Sequence, residues 1–310
     1  MNNIETTGVN HSIEFHRTST FAYLILTLTT FFFAVNHVIG RGVRTEVPPV
    51  GLSFWRWLFG AILLLPFVWR GLYTSTAIIR THLPTLFLLG CLMIGSTTIM
   101  LVALNFTTAI NVALINATQP VMTILLAWLF LKEKLTRIQI VGVLAGLGGV
   151  VVMVSRADWR VIIDLQMNIG DGIVLLGMLG FSTYAINLYK IPKELKAGES
   201  LFVIILTGCL ALAPFYLAET ALYHAVPINA TAIAAILTLA LTVSLFAMLM
   251  WNVGNQILGP GRAGMFINLV PVNTAILAIT FLGEHLYLYH CLGAILISCG
   301  IYFVLRNHNV

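Results

Sequence analysis

The chain writes one stretch twice. Residues 116–135, NATQPVMTILLAWLFLKEKL, fall without a gap on 267–286, INLVPVNTAILAITFLGEHL, when the numbering is shifted by 151. Pro120 lands on Pro271, Thr123 on Thr274, Phe130 on Phe281 and Glu133 on Glu284, and the register runs on through Gly142 on Gly293 and Gly149 on Gly300. Apolar matches alone would mean little, because any two apolar helices share Leu and Ala. Pro and Glu are scarce, however, and their spacing is kept in both copies. The chain is therefore read as an internal duplication, and its fold has to accommodate two copies of one plan.

What each copy is made of follows from the apolar runs. With 59% hydrophobic and 9% charged residues and a mean hydropathy of +0.97, the chain lies far from soluble domains, which carry roughly 25% charged residues. A hydrocarbon core about 30 Å thick takes about 20 apolar residues of helix. Runs of that kind predict helices near 20–40, 52–69, 83–104, 109–131, 136–154, 171–190, 200–218, 230–251, 262–283 and 286–305. The expected fold is an all-α membrane protein of ten transmembrane helices. Stretches mixing turn formers with charge separate them, among them RGVRTEVPPVG, RGLYTSTAIIRTHLP and KIPKELKAGES. This predicts a tail over 1–19, a first five-helix repeat over 20–154, a connecting loop over 155–170, a second repeat over 171–305 and a short tail over 306–310.

Lys and Arg orient the chain. With the N-terminus inside, cytoplasmic segments hold eleven of them: Arg17, Arg70, Arg80, Lys132, Lys134, Arg137, Lys190, Lys193, Lys196, Arg262 and Arg306. The outer loops hold four, Arg41, Arg44, Arg156 and Arg160, and Arg56 is placed within a helix. Both termini are predicted cytoplasmic. A five-helix repeat is odd, so its second copy enters from the opposite side and the halves have inverted topology. That architecture recurs in secondary transporters, with substrate bound near the midplane between the repeats.

Several function classes drop out. The net charge of +5 is spread between apolar runs with no basic face, so nucleic acid is not an expected partner. Cys91, Cys209, Cys291 and Cys299 lie in apolar runs without CxxC or histidines at metal spacing, and read as packing residues. No cofactor or metal is expected, and no P-loop for direct ATP use is present. The expected partners are the lipid bilayer and a small-molecule metabolite.

Residues 34–69, AVNHVIGRGVRTEVPPVGLSFWRWLFGAILLLPFVW, resemble the first two helices of EamA-type proteins of the drug/metabolite transporter superfamily. Residues 105–149 resemble the fourth and fifth helices of that domain, and NIGDGIVLLGMLGFSTYAINLYK at 168–190 resembles the start of its second repeat. The resemblance covers nearly the whole chain. It implies ten helices in two inverted repeats, and export or exchange of small metabolites, often amino acids, across a bacterial inner membrane.

Polar groups inside a bilayer are costly and usually face a cavity or each other, so they nominate the site. Asn116, Gln119 and Pro120 fall a third to halfway along the fourth helix, and Asn268, Pro271 and Asn273 at comparable depth in the ninth. Each proline frees the carbonyl four residues earlier, those of Asn116 and Ile267, which serves either a kink or a polar substrate. Asn36 and His37 near the outer end of the first helix, and Tyr184 and Asn187 near the inner end of the sixth, add further candidates. His37 is either a hydrogen-bonded structural residue or a proton carrier. Arg56 reads in two ways: as a fork for a substrate carboxylate with Trp55 or Trp57 stacked beside it, or as an anchor snorkelling to the headgroups or tying down helix-end carbonyls. Trp251 closes the eighth helix as a gate or a packed end.

Glu133 and Glu284 read as caps or loop salt links at the membrane surface. Gly142, Gly146 and Gly149 read as a close-packing face, within the chain or, in a homodimer, against a second copy. All eleven Asp and Glu lie at helix ends or outside. The embedded glutamate by which small multidrug transporters of the same superfamily hold lipophilic cations is missing from the first helix. The expectation is a carrier exporting a small neutral, zwitterionic or anionic metabolite, such as an amino acid, by alternating access. The rivals are uptake or exchange of a metabolite and, in another class, a membrane enzyme acting on a lipid-linked substrate. The enzyme would need a surface cluster of acids or histidines, and the loops offer only scattered Asp158, Asp164 and Asp171.

Overall fold

A computed structural model describes residues 5–131, 136–155, 157–158, 168–258, 263–264 and 266–305, with no strand among them. In hydrocarbon every backbone polar group must be satisfied within its own segment, and helices do this without help. The helices are α1 (Glu5–Gly42), α2 (Pro49–Thr74), α3 (Thr76–Ala103), α4 (Ala109–Asn116), α5 (Gln119–Leu131), α6 (Arg137–Val154), α7 (Ile169–Asn187), α8 (Ala197–Leu222), α9 (Ala230–Leu239), α10 (Met248–Leu258), α11 (Leu269–Leu282) and α12 (Leu288–Leu305), with π-helical turns over Ala240–Ala247 joining α9 to α10. Six segments are long and apolar enough to cross a membrane: Thr20–Gly42, Pro49–Thr74, Thr76–Ala103, Ile169–Lys190, Ala197–Leu222 and Ala230–Leu258. Shorter apolar helices accompany them.

Two local differences from the expected elements have physical causes. The continuous helix expected over 109–131 is two helices, α4 and α5, with turn geometry at Ala117 and Thr118 just before Pro120. The second copy repeats the break at 267–268, just before Pro271. Proline cannot donate to the preceding turn, so both ladders open on its N-terminal side. The expected loop RGLYTSTAIIRTHLP is, by contrast, helical but for Ser75. Its threonines satisfy themselves within the helix: Thr76 donates to Leu72 O at 3.0 Å and Thr81 to Ala77 O at 3.0 Å.

Glycines set the closest crossings. A Cβ on Gly149 of α6 would lie 2.8 Å from Gly293 O of α12, and one on Gly300 of α12 would lie 2.6 Å from Gly142 O of α6. The helices therefore run antiparallel, and the two contacts exchange under the 151-residue shift. The face of Gly142, Gly146 and Gly149 is a packing face within the chain, met by α12 and, at Gly146, by Val121 of α5. Gly90 of α3 and Gly208 of α8 make a second such crossing, with a Cβ on either less than van der Waals distance from the other's backbone (2.7 Å and 2.6 Å).

Glu284 makes a cap and a salt link, as its reading allows, but the capped helix belongs to the other repeat. Its carboxylate accepts the N–H groups of Ala109 at 3.0 Å and Ile110 at 3.1 Å, so it caps α4 of the first repeat and not the helix that follows it. Arg41, in the last turn of α1, lies 3.8 Å away. Carboxylates at helix starts satisfy orphan donors and meet the positive end of the dipole. Glu219 does the same for α2, accepting from Val50 and Gly51 at 3.0 and 2.7 Å. Glu133 lies outside the described residues.

Candidate functional site

The site is built on one stripe of α2. Ser53, Arg56, Trp57, Gly60, Ala61, Leu64 and Val68 are buried at the three-and-four spacing of a single helix face. Gly60 lets α2 approach the π-helical turns of Ala240–Ala247, where an added Cβ would sit 3.0 Å from Ser244 Cβ. Arg56 is thereby carried into the interior with 0% exposure. The headgroup-anchor reading of Arg56 is corrected: close packing by Ser53 and Gly60 makes room for the guanidinium inside the bundle.

Arg56 faces a cavity lined from α1 by Phe33, Asn36 and His37, from α3 by Thr97 and Met100, and from the broken pair by Asn116 and Gln119. Phe181, Val243, Met248 and Ile267 close it from the second half. The cavity volume is about 30 Å³, enough for a water or two and far below the hundreds of Å³ that ligand pockets usually offer. The described conformation is contracted around the site.

The polar groups lining this cavity are under-satisfied. Arg56 Nη1 donates to Asn36 Oδ1 at 3.0 Å, and its carbon lies 4.9 Å from the Trp57 ring centroid. Nε and Nη2 have no partner, and no carboxylate pairs with the guanidinium among the described residues. Those two nitrogens form one edge of the planar fork, the edge that takes a carboxylate bidentately. Trp57 Nε1, His37 Nδ1, Asn116 Oδ1 and Gln119 Oε1 are also buried without partners. A buried charge left unpaired is costly, and buried polar groups are normally bonded. Here donors and acceptors without partners gather around one space.

The remaining residues singled out from sequence divide. Tyr184 and Trp251 are buried one layer behind the cavity: Tyr184 donates to Asn252 Oδ1 at 3.1 Å, and Trp251 packs on the lining rings of Phe33 and Phe181 at centroid distances of 5.9 and 6.4 Å. Asn268 Oδ1 is buried without a partner beside the lining residue Ile267. Asn273 donates to Thr30 Oγ1 at 3.3 Å, tying α11 to α1. Asn187 donates to Thr183 O at 2.7 Å in its own helix, and Trp55 donates to Tyr216 Oη at 3.1 Å on the far side of α2; neither lines the cavity. Of the two tryptophans considered beside Arg56 it is Trp57 that lies there, and the helical stripe points to it, since 53, 56, 57 and 60 share a face. The apolar lining and the π-helical turns left no signal in an unbroken run of hydrophobic residues.

Comparison with known proteins agrees with this architecture. The sequence pattern of the EamA-like transporter family matches residues 20–155 and again 168–306. An uncharacterized transporter of Bacillus subtilis, YyaM, is 26% identical over 90% of this chain and 92% of its own length. An uncharacterized transporter of Archaeoglobus fulgidus is 26% identical over 93% and 98%. A solved crystal structure shares the fold with a TM-score of 0.60 at 18% identity, over 95% of this chain and 99% of that one. The chain belongs to the EamA-like transporter family and is a multi-pass membrane transporter built of two repeats.

Proposed function

We propose that this EamA-family transporter exports a small zwitterionic metabolite, an amino acid or close relative, across a bacterial inner membrane by alternating access. The observation that carries the reading is the free Nε/Nη2 edge of Arg56, buried and without a carboxylate partner among the described residues. A substrate carboxylate docked there supplies the missing charge and two short charge-assisted bonds. The unpartnered oxygens of Asn116 and Gln119 in the same cavity accept from a substrate ammonium. Phe33, Met100, Phe181 and Met248 offer apolar surface to a side chain.

The architecture proposed with it is ten spans in two inverted five-helix repeats, with both termini cytoplasmic. The exchange of contacts between α6 and α12 under the 151-residue shift supports the inversion, and the excess of Lys and Arg on one set of loops supports the orientation. The contracted cavity is then the state between inward and outward opening. Proteoliposome counterflow over a panel of labelled amino acids, nucleosides and organic anions tests the reading. Amino acids should exchange above protein-free vesicles; no solute movement, with chemical conversion of a lipid, would instead mark a membrane enzyme.

A further inference from the structure

A second hollow lies behind α1. That helix turns Phe33, Asn36 and His37 to the central cavity. At about 100° per residue, its opposite face carries Val35, Val38, Ile39 and Gly42, and these line an apolar groove. Ala234 and Thr238 of α9 form one wall of the groove, and Leu277 and Phe281 of α11 the other. α1 packs on the π-helical turns and on α10 but barely touches α9, so α1 and α9 diverge toward the end of α1 and leave a wedge. Its volume is about 450 Å³, within the range of ligand pockets. These residues belong to the apolar segments Thr20–Gly42, Ala230–Leu258 and Leu269–Leu282. What fills the groove is therefore a hydrocarbon chain or another apolar helix.

The groove opens at the face away from the chain termini, where several ionisable groups are already engaged. Glu219 and Glu284 cap helices, and Arg41 donates to Leu104 O at 2.6 Å beside Glu284. His290, Asn111, Thr107 and Asp171 are buried and bonded to one another. Tyr287 N–H donates to His290 Nδ1 at 3.0 Å, so Nε2–H donates to Asn111 Oδ1 at 2.9 Å. Asn111 Nδ2 donates to Thr107 Oγ1 at 3.2 Å, and the Thr107 hydroxyl donates to Asp171 Oδ1 at 2.6 Å. Arg44 is different. Half-buried just past the end of α1, it follows the groove-lining residues Gly42 and Val43. Its Nη1 donates to Arg41 O at 2.8 Å, and it makes no further hydrogen bond and no ion pair among the described residues. Glu46, two residues on, is exposed and leaves it unpaired.

We propose that this groove binds an anionic phospholipid of the leaflet away from the termini, with an acyl chain in the wedge behind α1 and the headgroup phosphate on Arg44. The depth fits: Arg44 lies two residues beyond the apolar segment Thr20–Gly42, at headgroup level. A guanidinium with spare donors takes a phosphate through two parallel bonds. A zwitterionic headgroup would bring its own cation to the same place, and an anionic one does not. A second copy of the chain suits the groove less well. A twofold axis along the membrane normal would set two Arg44 side chains at one level, like charge facing like. The bound chain braces α1 from the face opposite Asn36 and His37 and does not enter the cavity.

Lipid binding here is independent of which solute is carried, so failed amino-acid counterflow would count against the substrate reading alone. The test places the protein in phosphatidylcholine nanodiscs doped with phosphatidylglycerol that carries a photoactivatable diazirine in its acyl chain, and maps the adducts by peptide mass spectrometry. Adducts should concentrate on residues 35–43, 231–238 and 277–282. Excess unlabelled phosphatidylglycerol should displace them about fivefold better than phosphatidylcholine, the worth of one basic residue at a membrane surface. Arg44→Gln should lose that preference and Arg44→Lys keep it. Ala234→Phe, which fills the groove from the α9 wall, should lose the adducts altogether. Adducts spread over the whole apolar surface, or displaced equally by both lipids on the native protein, would mark an ordinary lipid annulus and overturn the proposal. So would a preference unchanged in Arg44→Gln, or adducts unchanged in Ala234→Phe. Efficient chain-to-chain disulfide formation by Phe281→Cys, an exposed groove position, with the four native cysteines replaced by serine, would place a second copy there and overturn it as well.

Discussion

The cavity around Arg56 and the cluster around His290 hold similar inventories of buried polar groups and treat them in opposite ways. At His290 each donor meets an acceptor, and the bonds tie together helix starts from both repeats. Around Arg56 five buried side chains keep atoms without partners, and the guanidinium has no counter-charge among the described residues. Satisfied networks hold a conformation; unsatisfied ones store a demand that a ligand meets. The same kind of residue thus reads as a tie between helix starts in one place and as a candidate binding site in the other, and the difference lies in where the bonds go.

That contrast can be broken by substitution. Arg56→Gln should have the largest effect on transport: losing one partner of a buried charge pair costs about 2–5 kcal/mol, roughly 30- to 5000-fold in counterflow efficiency. Its thermal stability should hold or rise, because the unpaired charge is gone. His290→Ala should show the reverse pattern. It leaves Asn111 Oδ1 and Tyr287 N–H without partners, which costs about 1–3 kcal/mol of stability, measurable as a lowered melting temperature in detergent. Were Arg56→Gln the destabilised variant and His290→Ala the neutral one, the two regions would have to exchange roles.

Smaller effects sharpen the cavity side. Asn116→Ala and Gln119→Ala should each raise the half-saturating substrate concentration by about 5- to 10-fold, one hydrogen bond's worth, with melting temperatures unchanged. Unchanged affinity in both would move them to structural roles. Trp55→Phe should alter transport least, within about twofold, since its indole bonds Tyr216 on the other side of α2 and surface-side substitutions change little.

Much of the fold was legible in the sequence because membrane insertion imposes its signal residue by residue. Long apolar runs mark α1, α2, α3, α7 and α8, and the spacing of Pro120 and Pro271 marks the duplication and the place where both helices break. The site was legible in outline: Asn36, His37, Arg56, Asn116 and Gln119, drawn from four helices, do line one cavity. Three features were not legible, each for a physical reason. Trp55 and Trp57 look alike in sequence, and only the small residues Ser53 and Gly60 on the same face show which one turns inward. The π-helical turns at Ala240–Ala247, which lie against Gly60, fall in an unbroken apolar run without Gly or Pro to mark them. The bond between Asn111 and His290 joins residues 179 apart, and neither lies in a motif that names the other.

The central claim is that the free edge of Arg56 receives a substrate carboxylate. It is tested most directly by competition counterflow in proteoliposomes, setting an exported amino acid against its methyl ester and against the matching amine that lacks the carboxyl group. The account predicts that the acid competes, that the ester and the amine do not, and that Arg56→Gln erases the preference. Equal competition by ester and acid on the native protein would contradict it.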